Sequence, residues 1–364
     1  MTTTDLTDLT APASGCVLQS VADRVDSLLD AFLDERAAEL AALDDALVPV
    51  ADAVTALVAA GGKRLRPAFV WWGYRAATDE ADPEVLKPAG ASELLHTFAL
   101  IHDDIMDRSP TRRGLPAVHT ALGAHHRQSG LEGDPDWFGV GGGILAGDMV
   151  FVWADILFEA ARLETQAKTR ARTVFALLRT EVMAGQYLDL RLSGLPQATD
   201  ADSLRVSLLK SGRYTVTRPL QMGAALGPTD APLDAALTTF GDAIGVAFQL
   251  RDDILGLTGD PEATGKGALE DVREGKRTLL MLRARDLAEQ TQRKVLQDVL
   301  GDPAASQADV DAVRQIVTDT GALADVERRV STLRAEAEQA IAGLPDPGHS
   351  ALLELAAEAI DRSG

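Results

Sequence analysis

The stretch LLHTFALIHDDIMD, residues 94–107, decides how this chain is read. It is apolar for several turns and then acidic, with Asp103, Asp104 and Asp107 at its end. On a helix, positions i and i+4 share a face, so Asp103 and Asp107 point the same way one turn apart. A second segment repeats the design: FQLRDDILG at 248–256 ends in Asp252 and Asp253. Unpartnered carboxylates in such places repel each other and resist burial. Hard divalent cations shared with a phosphorylated ligand remove that cost, and Mg²⁺ binds through a few carboxylates plus substrate phosphates.

Basic residues follow each acidic cluster. Arg112 and Arg113 come after the first, and Lys266 and Lys276 after the second, while His96 lies seven residues before Asp103. A metal–diphosphate site needs this layering, because carboxylates hold cations while the cations and Arg or Lys hold anionic oxygens. A third basic element is GGKRLRP at 61–67. Its glycines permit unusual dihedrals and Pro67 suits a first helical turn, so Lys63 and Arg66 can face an anion near a helix N-terminus. KSGRYTVTRP at 210–219 adds Lys210 and Ser211, and GQYLD at 185–189 adds Gln186 and Asp189. Taken singly, these last residues read as ordinary surface or helix polarity. His125 and His126 lack cysteine partners and read as an ordinary loop pair, and Tyr187 and the four tryptophans read as core.

The spacing predicts helices over about 17–60, 67–78, 84–107, 117–127, 144–162, 167–190 and 231–257, with more helix to about 362. Residues 109–116 and 259–277 read as loops, and 128–143 as a glycine-rich connection. No alternating strand pattern of useful length occurs. Ala and Leu are abundant and aromatics make up only 4%, which favours helix over sheet. The expectation is an all-α fold, one many-helix bundle around a central cavity, spanning 16–364 behind a disordered tail at 1–15.

Net charge is −20, from 35 Lys+Arg against 55 Asp+Glu, which opposes nonspecific nucleic-acid binding. Cys16 is the lone cysteine, so an intrachain disulfide and a cysteine-based zinc site are excluded, and a reducing cytoplasm fits. The polar N-terminus is unlike a signal peptide, and the longest apolar runs fall short of the ~18–20 residues of a membrane span.

In combination, GGKRLRP, DDIMD followed by the Arg pair, GQYLD, FQLRDDILG, TGK and REGKR occur in an order that resembles the trans-isoprenyl diphosphate synthases, or polyprenyl synthetases, over roughly 40 to 340. The resemblance implies an all-α homodimer with a central cavity and Mg²⁺, three ions when substrate is bound. It implies metal binding by Asp103, Asp104 and Asp107 from the first motif and by Asp252 from the second. Lys63, Arg66, His96 and Arg113 are then expected on the diphosphate of isopentenyl diphosphate. Arg112, Lys210, Lys266 and Lys276 are expected on the allylic diphosphate, with Ser211, Gln249 and Gln186 steadying the allylic substrate. The catalytic set becomes Asp103, Asp104, Asp107, Arg112, Lys210, Gln249, Asp252 and Lys266.

The chain departs from the family pattern in two places. The second motif is usually DDxxD, but Gly256 stands at its third position, and Asp260 lies about two turns or ~12 Å beyond Asp252 along an ideal helix. Ser211 also stands where Thr is common, with the hydroxyl kept. Phe98 and Ala99, five and four residues before Asp103, correspond to the family's cavity floor. They resemble a geranylgeranyl (C20) type first and a farnesyl (C15) type second. A class I terpene cyclase would not need Lys63, Arg66 and Arg113, and a non-catalytic subunit is the alternative that Gly256 suggests.

Overall fold

Helices α1 (Val17–Leu43), α2 (Val48–Ala59), α3 (Leu65–Ala77) and α4 (Leu86–Met106) open the fold in a computed structural model that describes residues 17–195, 197–259 and 268–361. The tail at 1–15, Cys16, Asp260 and Lys266 lie outside the described residues. Then come α5 (Val118–Gln128), α6 (Pro135–Glu159), α7 (Thr165–Ser193), α8 (Asp200–Val206), a π-helical segment (Ser207–Thr217), α9 (Arg218–Leu226) and α10 (Ala231–Thr258). The chain closes with α11 (Ala268–Glu274), α12 (Leu279–Leu287), α13 (Gln290–Val299), α14 (Gln307–Asp319), α15 (Ala322–Ala340) and α16 (Gly348–Ile360).

Between α4 and α5 a hairpin of two-residue strands pairs β1 (Thr111–Arg112) with β2 (Leu115–Pro116), antiparallel. Arg113 (φ 53°) and Gly114 (φ 76°) form its turn. Positive φ at both central residues matches the twist of a two-residue hairpin.

The principal hydrophobic core runs from Val17 on α1 to Ile360 on α16. Phe69, Trp71, Trp72, Phe158, Phe175 and Phe240 are fully buried in it. Each such side chain contributes about 1.5–3 kcal/mol of transfer free energy. α4 packs on α6, α3 on α9, and α10 on both α15 and the π segment. α4 and α10 are thereby held inside the bundle, with their acidic ends facing one cavity.

Several expectations are corrected. The helix expected over 17–60 is broken at Asp44, whose Oδ1 accepts from the Ala46 N–H at 2.8 Å and caps a short 3₁₀ turn, Asp45–Leu47, before α2. The connection expected over 128–143 is helical from Pro135, capped by Asp134. Its glycines serve close packing instead of breaking the helix. A Cβ on Gly139 would lie 2.2 Å from the His119 carbonyl oxygen, and one on Gly147 would lie 2.3 Å from His102 Nε2. His125 and His126 belong to the last turn of α5, and His126 is buried with Nε2 3.2 Å from the Glu132 carbonyl oxygen.

Two residues read as core are on the surface: Trp137 is 72% exposed and Tyr187 68%. Moreover, α6 is long and apolar enough, by length and composition alone, to cross a membrane, and 39% of its qualifying 18-residue window is buried inside the fold. Its exposed apolar residues include Trp137, Leu145 and Val152.

Candidate active site

The acidic ends of α4 and α10 open into a cavity of about 1110 Å³. Asp103 and Asp107 line it from α4, and Asp252, Asp253 and Gly256 from α10. Its lining includes the basic residues Lys63, Arg66, Arg112, Arg113, Lys210 and Lys276 and the apolar residues Phe98, Ala99, Val182, Met183 and Leu190.

The carboxylates are crowded. Burial, reinforced by Asp103, pushes the Asp107 carboxyl up to about 6. Burial pushes Asp253 up to about 7, where Asp252 and Asp271 oppose the hydrogen bond donated by Gln249 Nε2 at 2.8 Å. Such all-oxygen donors suit a hard cation, and a cation would relieve the crowding. Among the described residues, no three His, Cys, Asp or Glu side chains close on a metal-sized point by themselves.

Asp104, expected as a third ligand on α4, is turned to Arg112. It is 1% exposed, lies outside the cavity lining, and its Oδ1 accepts from Arg112 Nε at 2.9 Å and also from Nη2. The reason is helical geometry: position i+1 is turned about 100° from Asp103, away from the cavity. Arg112 Nη2 also reaches Asp103 Oδ2 at 3.4 Å, so the hairpin arginine is held by both aspartates at the cavity edge.

Lys210 bridges two cavity carboxylates, donating to Asp189 Oδ2 at 2.7 Å and to Asp103 Oδ1 at 3.3 Å. Gln186 Nε2 donates to the same Asp103 Oδ1 at 3.1 Å. Burial opposes the Lys210 charge, but Asp103 and Asp189 outweigh it and raise its pKa. Lys276 behaves alike: it donates to Asp271 Oδ1 at 2.6 Å and pairs with Glu274, and these acids outweigh burial to hold it above the usual lysine range.

The GGK segment sorts its cations by direction. Arg64 (φ 50°) turns into the protein, where it pairs with Glu93 at 2.7 Å and Asp26 at 2.6 Å and donates to the Val58 carbonyl oxygen at 2.8 Å. This pair is buried, so removal of one partner costs about 3–5 kcal/mol. Anchoring Arg64 aims its neighbours at the cavity. Arg66 stacks 4.2 Å from the Tyr214 ring centroid and donates to Thr215 Oγ1 at 2.8 Å, while His96 Nδ1 meets the Tyr214 hydroxyl at 2.8 Å. Burial, aided by Arg66 and Arg113, holds the His96 pKa well below its usual value. Lys63 lines the cavity but pairs with Glu358 at 3.5 Å and donates to its carbonyl oxygen at 3.2 Å.

The π segment presents Lys210, Ser211, Tyr214 and Thr215 to the cavity. π turns of this kind cluster at functional sites. Glycines let it sit close: a Cβ on Gly185 would lie 2.4 Å from Lys210 N, and one on Gly212 would lie 3.0 Å from the Gly245 carbonyl carbon. The Phe98 ring, also in the cavity lining, packs 5.0 Å from Phe151 and 4.7 Å from His102. Ala99 lines the cavity beside Phe98.

All the residues expected at the site line the cavity except Asp104 and Lys266, the latter outside the described residues. Asp189, Tyr214, Thr215 and Asp271 line the cavity as well, beyond the residues expected from the motifs. Asp189 carried a usable signal, standing one turn from Gln186 on the same face. Asp271 carried none in its spacing, because it reaches the cavity from a separate helix.

The polyprenyl synthetase family model matches residues 49–317. The geranylgeranyl diphosphate synthase of Methanosarcina mazei is 31% identical over 345 residues, covering 92% of this chain and 99% of that protein. The geranylfarnesyl diphosphate synthase of Aeropyrum pernix is 33% identical over 293 residues, covering 79% and 86%. In structure, geranylgeranyl pyrophosphate synthase from Corynebacterium glutamicum, complexed with isoprenyl diphosphate and magnesium, superposes with a TM-score of 0.90 at 36% identity, over 97% of this chain and 100% of that one. With the fold, the paired acidic helix ends and these relatives in agreement, the chain belongs to the polyprenyl synthetase family of prenyltransferases.

Proposed function

We propose that this enzyme joins isopentenyl diphosphate to an allylic diphosphate in a Mg²⁺-dependent condensation, with geranylgeranyl diphosphate (C20) as main product. One observation carries the reading: two acidic helix ends, basic residues from four chain segments and a set of apolar side chains line a single cavity. A cyclase would need one diphosphate site, whereas here Arg66 and Arg113 lie apart from Lys210 and Lys276 in sequence and on different elements.

Asp103, Asp107 and Asp252 would hold the metal, three ions with substrate bound. Mg²⁺, when bound, neutralises charge building on the leaving diphosphate. Arg112, Lys210 and Lys276 hold that diphosphate, and Ser211, Gln186 and Gln249 position the allylic carbon. Lys63, Arg66, Arg113 and neutral His96 hold isopentenyl diphosphate with its double bond facing that carbon. The allylic C–O bond breaks, the C=C attacks, and the proton lost passes to the departing diphosphate. Val182, Met183 and Leu190 exclude water from the cation.

Phe98, held by Phe151 and His102, supports a C20 floor, as do the names of the Methanosarcina and Corynebacterium relatives. The Aeropyrum relative favours C25 as the second reading. The exposed apolar residues of α6, Trp137, Leu145 and Val152 among them, support a homodimer, since exposed apolar surface of this kind suits an interface. Incubation of the pure protein with Mg²⁺, isopentenyl diphosphate and each allylic primer, followed by sizing of the dephosphorylated alcohols, tests the proposal. A C20 alcohol is expected, and a cyclic hydrocarbon or no elongation would overturn it.

A further inference from the structure

Gly256 leaves the second acidic cluster one carboxylate short at the position one turn after Asp252, on the same helical face. That position is not empty space. A Cβ on Gly256 would lie 2.9 Å from Oδ2 of Asp271, a contact that real Cβ atoms do not make. Asp271 comes from α11, and both residues line the cavity together with Asp252 and Asp253. We propose that Asp271 supplies from α11 the third metal-facing carboxylate of the second cluster, in the place that Gly256 vacates.

Three observations support the exchange. Asp271 Oδ1 is held by Lys276 Nζ at 2.6 Å, which fixes the carboxylate with Oδ2 turned to Gly256. Lys276 faces the same cavity, so cation and carboxylate arrive there as a unit. α10 ends at Thr258 with Gly259 as its cap, so the helix itself presents no further acid to the Asp252 face. The chemistry is that of the other aspartates: an anionic oxygen donor for Mg²⁺ that also carries a diphosphate.

The inference rests on the Mg²⁺–diphosphate reading of the site, and the test separates the two. The readout is the Mg²⁺ concentration giving half-maximal thermal stabilisation of the protein by inorganic pyrophosphate, referenced to each variant's own melting temperature without ligand. Asp271→Ala and Asp271→Asn should raise that concentration about tenfold or more, the usual effect of removing a ligand-supporting carboxylate. Asp271→Ala with Gly256→Asp should bring it back toward wild type. Gly256→Asp alone should not improve on wild type, because Asp271 already fills the space.

If Asp271 only positions Lys276, its variants will weaken pyrophosphate at saturating Mg²⁺ and leave the Mg²⁺ midpoint unmoved, which overturns the proposal. Failure of the double variant to recover, or a larger effect from Asp260→Ala, overturns it too. If the wild-type protein shows no Mg²⁺-dependent response to pyrophosphate, the underlying reading fails with it. A response lost in Asp103→Ala but untouched in Asp271→Ala sinks the proposal alone.

Discussion

The guanidinium of Arg113 lies over Gly62 so closely that a Cβ there would sit 2.9 Å from Nη2. The first glycine loop and the hairpin after the first acidic cluster thus form one wall. Gly62→Ala should push Arg113 aside. The expected result is a KM for isopentenyl diphosphate raised about tenfold, roughly 1.4 kcal/mol of binding, with kcat little changed. Steady-state kinetics with each substrate varied in turn checks this, and an equal rise in the allylic KM would contradict it.

Phe98 lines the cavity and its ring packs against that of Phe151. Phe98→Ala should lengthen the products by at least one C5 unit. Phe151→Ala should do so more weakly, because it removes the support but leaves the ring. Chromatography of the dephosphorylated alcohols reads both, and unchanged length in Phe98→Ala rules this floor out.

Exposed apolar residues on α6, among them Leu145, 60% exposed, and Val152, 54% exposed, form the face proposed for a second copy. Leu145→Glu combined with Val152→Glu should shift a dimer to monomer in light scattering behind size exclusion, because two buried charges cost several kcal/mol. A mass that stays dimeric places the interface elsewhere.

His96 is partly buried beside Tyr214, and its folded pKa is held well below 6.5 by desolvation and the nearby arginines. As pH falls below 6.5 the unfolded chain takes up a proton that the folded protein refuses. Stability therefore drops toward acid, by up to about 1.4 kcal/mol per pH unit from this group. Denaturant melts of wild type and His96→Gln between pH 5 and 7 should show a shallower slope in the variant. Identical slopes would mean that His96 titrates freely when folded.

Much of this was legible from residues alone. The apolar-then-acidic pattern of α4 and α10 marked the helices that carry the site, because a helix keeps i and i+4 on one face. What was missed is what a linear pattern does not hold. Gly139 and Gly147 look like chain breakers, yet each exists because another element touches the backbone there. Asp104 looks like a ligand beside Asp103, but one step along a helix turns it to Arg112. Trp137 and Tyr187 look like core and lie on the surface. Asp271 is distant in sequence from Gly256, and only the return of α11 brings them together.

In the proposed reaction both acidic helix ends act on one diphosphate. The most direct measurement is Mg²⁺-dependent turnover of isopentenyl and allylic diphosphates by wild type, Asp103→Ala and Asp252→Ala, with folding checked by circular dichroism. Each substitution should lower kcat about 100-fold or more, as loss of a group that stabilises transition-state charge does. Full activity in either folded variant, or wild-type turnover that needs no Mg²⁺ or no isopentenyl diphosphate, would contradict the account.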